Sequence, residues 1–129
     1  MRAPSLAEFE ALAEAAYAGL PQEFRAMCGN VVIHVADFPD DAQLASVELS
    51  DPYELLGLYE GVDLTRASLT YPSATPTHVH LFRSPILDEW VHRADIALGD
   101  LITHVLVHEI GHHFGLSDEA MHRIEDEAD

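Results

Sequence analysis

The sequence predicts an α+β domain in which helices pack on a small β-sheet, and three observations carry that prediction. Residues 31–35 (Val-Val-Ile-His-Val) and 77–82 (Thr-His-Val-His-Leu-Phe) are β-branched or alternating runs of strand length. Several other segments repeat apolar residues at helical spacing between capping signals. One of them, residues 101–114, is apolar nearly all round and therefore belongs inside a core rather than on a surface.

The elements follow in order. Ser5 with Glu8 forms a capping box ahead of Leu6, Phe9, Leu12, Ala13, Ala16 and Tyr17, and Gly19 closes that first helix. Pro21 suits the first turn of a short second helix ending at Gly29. The 31–35 run reads as a buried strand. Residues 37–51 are acidic and broken early by Pro39, so they read mostly as loop with room for a helical turn. Asp51-Pro52 opens a short helix, Gly57 and Gly61 break the pattern, and residues 62–68 read equally as strand or loop. Residues 71–76 are turn-rich, and 77–82 form the second strand. Ser84-Pro85 caps and starts a helix through Trp90 and Val91. Asp100 is expected to cap the apolar helix, Gly115 to end it, and Ser117 to cap the last helix from Asp118 onward.

Length and composition agree with one domain spanning 1–129. At 48% hydrophobic and 22% charged residues, the chain has the balance of a folded globular protein rather than a disordered one. The net charge of −17 argues against nucleic acid and against anionic membrane as partners, since both require clustered Lys and Arg. Cys28 is the lone cysteine, so no internal disulfide forms. With no signal-peptide pattern at the N-terminus and no run near the ~20 apolar residues of a membrane span, the expected location is the cytoplasm. Oligomeric state is not legible.

The chemistry concentrates on the apolar helix, in His108-Glu109-Ile110-Gly111-His112. Histidines four apart share one helix face, one turn apart, and can hold a single Zn²⁺. Glu109 lies about 100° round the helix from His108, beside the metal yet free to act as general base. Unpaired polar groups inside an apolar helix cost free energy, and a metal would satisfy both imidazoles. A third ligand is expected after a sharp turn. Gly115 can take the left-handed conformation that folds the chain back, which brings Asp118 within reach, in the pattern H-E-x-x-H-x-x-G-x-x-D. The competing role for Asp118 is a helix-start acid. Glu119 and Glu125 are reserve ligands that otherwise read as surface acids. Among the remaining histidines, His78, His80, His104, His113 and His122 are read as structural, although His104 lies one turn before His108, and His78 and His80 share a strand face; His34 on a strand and His92 on a helix are assigned no role.

The segment from His108 to Asp118 resembles the signature of the small bacterial zincin-like metallopeptidases. Leu20-Pro21 with Glu23-Phe24, residues 30–35, Leu55-Leu56-Gly57-Leu58-Tyr59 and Phe82-Arg83-Ser84-Pro85-Ile86 look like other recurring segments of that family. The resemblance implies a minimal zincin fold, with His108, His112 and Asp118 as zinc ligands and Glu109 as general base. The signature is also similar to that of metzincins, but only eleven residues follow Asp118, and Met121 is too close to form their methionine turn. The expected activity is zinc-dependent hydrolysis of a peptide or protein substrate, with the 77–82 strand offering an edge for an extended peptide. The alternative is a non-catalytic zinc-binding or peptide-binding module on the same fold. Two histidines and one carboxylate also suit non-haem iron.

Overall fold

The computed structural model describes residues 3–60, 77–93 and 95–128. The segments read above as 62–68 and 71–76 lie outside the described residues.

Helix α1 (Leu6–Ala18) starts with the expected capping box and closes at Gly19. Helix α2 (Gln22–Cys28) follows, with Pro21 standing just outside it as its N-cap rather than in its first turn. Strand β1 (Val31–Ala36) comes next. The acidic stretch contains a real helix, α3 (Asp41–Ser46). Asp40 caps it by accepting from the Gln43 N–H, while the Gln43 side chain answers the Asp40 N–H. A single 3₁₀ turn (Pro52–Glu54) leads into strand β2 (Gly57–Glu60). Strand β3 (Thr77–Phe82) runs directly into α4 (Arg83–Arg93). The two C-terminal helices are α5 (Leu98–His113) and α6 (Asp118–Glu127). Among the described residues, six helices packed on a small mixed sheet make an α+β fold, as predicted.

The sheet order is β1-β3-β2, with β1 parallel and β2 antiparallel to β3. Alternation then sorts the side chains. Val31, Ile33, Val35, Val79 and Leu81 face the main core, where they meet Leu101, Ile102, Val105, Leu106 and Ile110 of α5 and Phe9 and Ala13 of α1. Burying such side chains supplies roughly 1.5–3 kcal/mol each, so the all-round apolar character of α5 is explained by neighbours on several sides. Leu44, Leu55, Leu58 and Phe82 form a smaller second cluster.

Four expectations are corrected. β1 is not a fully buried strand: Val31, Ile33 and Val35 are half-buried against the core, and His34 on the other face is exposed. Gly57 does not break the chain but opens a strand, for a reason given below. β3 is the central strand, paired on both sides, so its backbone has no edge to offer a peptide. The apolar helix begins at Leu98 with Ala97 as its N-cap; Asp100 sits inside the first turn, where its charge complements the helix dipole.

Candidate metal centre

Helix α5 carries His104, His108 and His112 at successive turns, and α6 is folded back against it. The reversal depends on Gly115, whose φ of +71° is the left-handed conformation that glycine adopts without strain. The Ser117 hydroxyl then accepts from the Ala120 N–H at 3.1 Å and starts α6. Met121, fully buried, packs on Gly111, and two turns beyond Asp118 the helix delivers Glu125 to the histidine stripe.

Glu125 engages two imidazoles. His104 Nδ1 lies 2.5 Å from one carboxylate oxygen, an N–H donating to oxygen, and His108 Nε2 lies 3.5 Å from the other. Among the described residues, His104, His108 and Glu125 form a group whose ligand atoms all lie within 4.8 Å of one another. His108 Nε2 is buried and makes no hydrogen bond. Burial, reinforced by the neighbouring His104, lowers the His108 pKa against the pull of Glu125, which favours the neutral imidazole that a metal requires. An orphaned nitrogen beside a carboxylate is a place where a divalent cation would satisfy both groups.

Glu109 occupies a different side of the helix. Burial pushes its carboxyl up to about 7. Strand β2 runs past it at Gly57, and the glycine is what permits that approach. A Cβ there would lie 2.9 Å from Val105 Cγ1, 3.2 Å from Glu109 Cγ and 3.2 Å from the His80 carbonyl oxygen. Gly57→Ala is therefore expected to destabilise the fold by about 1–3 kcal/mol through overpacking. Chemical denaturation measures this, and a variant as stable as the parent would show that β2 has slack against α5. Farther along β2, Tyr59 stacks on His113 with ring centres 4.1 Å apart, so His113 points toward the sheet and away from His104 and Glu125.

The sequence-derived site residues fall as follows. His108 is at the centre of the cluster. His112 is exposed, with its ring centre 5.8 Å from that of His108 and the planes nearly perpendicular. Asp118 is the exposed first residue of α6, outside the converging trio, and Glu119 is exposed beside it. His122, one turn after Asp118, has its ring 6.1 Å from His108. Sequence reasoning undervalued His104 and Glu125. The signal for His104 was the unbroken four-residue spacing 104-108-112. For Glu125 it was the seven-residue step from Asp118, two helical turns along the same face.

A buried helix that bears a stripe of imidazoles and an orphaned ring nitrogen, faced by a carboxylate from the next helix, gives this α+β domain a cluster that could hold a divalent metal. Residues 28–128 match the zincin-like metallopeptidase family, and the chain belongs to that family. Its general role is accordingly that of a metallopeptidase. No curated protein matches the chain. Among the described residues, no helix is long and apolar enough to cross a membrane.

Proposed function

We propose that the chain is a zinc-dependent peptidase in which His108, His112 and Asp118 hold the metal and Glu109 is the general base. The observation that carries this reading is the division of labour round α5: a histidine stripe on one side and, about 100° on from His108, a carboxyl whose burial brings it close to neutral pH. A base is most effective when its pKa lies near the working pH.

The donor set fits zinc, which takes imidazole nitrogen and carboxylate oxygen in four-coordinate sites. When bound, zinc supplies Lewis acidity, lowering the pKa of water toward ~7 and polarising the scissile carbonyl. Glu109 accepts the proton of the attacking water and passes it to the departing amine nitrogen. Strand β2 has β3 on one side only among the described residues and passes directly over Glu109. It replaces β3 as the strand on which an extended peptide would pair, presenting its carbonyl groups to the base.

Two carboxylates contend for the third ligand position. Glu125 is nearer to His108 Nε2, but it lies on the His104 side of the stripe. A metal held there would be turned farther from Glu109 than one held between His108 and His112. The base therefore needs the 108/112 pair, which leaves Glu125 to orient the His104 and His108 rings. Such outer carboxylates contribute about 10–100-fold in metal affinity. Asp118→Ala is expected to weaken zinc binding more than Glu125→Ala, as read by competition with a chromophoric chelator. The reverse order would move the metal to His104, His108 and Glu125 and leave Glu109 without a role.

A further inference from the structure

The outer face of the sheet holds a second cluster of imidazoles that the α5 site does not use. Strand alternation turns His78 and His80 to the same side of β3. The parallel register sets His34 of β1 opposite His80, and the antiparallel register sets Glu60 of β2 opposite His78. The inner face of these strands is apolar and buried, so this set lies on the side of the sheet away from α5.

The rings are in mutual contact. His34 Nε2 lies 2.8 Å from His78 Nδ1, a distance at which the two nitrogens share one proton. The His34 and His80 rings stack with centres 4.8 Å apart. His80 Nε2 is 3.5 Å from a Glu60 oxygen, yet it is buried and makes no hydrogen bond. A solvated polar sheet face explains exposed histidines, but it explains neither this convergence nor the unsatisfied nitrogen.

We propose that His34, His78 and His80, with Glu60, form a second site for a borderline divalent transition metal such as Zn²⁺, Ni²⁺ or Cu²⁺. Imidazole suits these ions, and three imidazoles with one carboxylate fill a four-coordinate shell. The His34–His78 pair supplies two nitrogens already close together. The His80 ring is stacked on His34, so uptake requires it to turn out of that stack, carrying with it the nitrogen that neighbours Glu60. Uptake would replace the His34–His78 hydrogen bond, its proton passing to the other nitrogen of the same ring, because each neutral imidazole keeps one N–H and offers one lone pair. Burial, and after it the like-charged neighbours His80 and His78, lower the pKa of His34, which keeps that ring available as a neutral ligand. The overall charge of −17 favours a cation at any such cluster. The site is independent of the α5 centre and does not rest on the peptidase reading.

The test uses the full chain carrying His108→Ala and His112→Ala, which removes the α5 ligands. Equilibrium dialysis against zinc at pH 7.5 is expected to leave about one ion per chain, given the ligand number that zinc prefers. Adding His34→Gln and His78→Gln should abolish that ion. With Cu²⁺ as the probe, the electron paramagnetic resonance spectrum should show coupling to several imidazole nitrogens before these two changes and not after. His34 is exposed and His78 half-exposed, so the fold should survive, and circular dichroism checks it. Zinc uptake that is absent from the first variant, or unchanged in the second, overturns the proposal.

Discussion

Glu109→Gln is expected to lower peptide hydrolysis by about 10²–10⁴-fold, the usual worth of a positioned general base, while zinc stays bound. Glutamine keeps the shape and the local packing but cannot accept the proton. The effect should fall on kcat, because the substitution leaves both β2, the strand proposed to receive the peptide, and the histidine stripe in place. Activity unchanged within a factor of a few would remove Glu109 from the mechanism.

The same substitution has a second signature in the zinc-free protein. Burial raises the Glu109 carboxyl from 4.5 to about 7, so the folded state favours the protonated form. The folded chain then holds a proton that the unfolded chain has released, and stability falls as pH climbs from about 4.5 through 7. Glutamine carries no charge and escapes this loss. At pH 8 the zinc-free variant is expected to be more stable than the parent by about 2–3 kcal/mol, and the advantage should vanish below pH 4. Thermal melts at the two pH values measure it. An advantage that is equal at both, or larger in acid, contradicts a buried carboxyl at this position.

The second large effect is expected from His108→Ala. His108 sits between His104 and His112, its Nε2 is orphaned, and it is one of the two imidazoles beside Glu125. Its removal should weaken zinc binding well beyond the roughly 10–100-fold of an outer-shell partner, and hydrolysis at limiting zinc should disappear with it. Isothermal titration with zinc reads the first result and a cleavage assay the second. Because His108 is only partly buried, the fold should tolerate the change, and an unaltered far-UV spectrum separates loss of metal from loss of structure. Zinc affinity within a few-fold of the parent would place the metal elsewhere.

The elements with strong local chemistry were legible in the sequence. Ser5 with Glu8, and Ser117 before Asp118, announce helix starts because their side chains satisfy backbone N–H groups within three residues. The apolar girth of residues 101–110 foretold burial because only a helix enclosed by other elements can hide apolar side chains on most sides. What the sequence concealed was set by tertiary contacts. Gly57 reads locally as a breaker. It is a strand residue because the close passage of β2 over Val105 and Glu109 leaves no room for a side chain. The central place of β3 follows from pairing with two partners distant in sequence, which its own six residues do not encode. The candidate site divides in the same way. His108, Glu109 and His112 are legible from spacing on a single helix. Spacing puts His104 on the stripe and Glu125 on the face of Asp118, but their engagement with each other depends on how α6 packs on α5 through Met121 and Gly111.

The most direct measurement of the central claim is mass spectrometry of a diverse peptide library incubated with the zinc-loaded chain, beside the Glu109→Gln variant and a chelator-treated control. The account predicts new peptide termini with the zinc-loaded parent and none with either control. No cleavage by the zinc-loaded parent, or cleavage that persists equally in the variant, would contradict it.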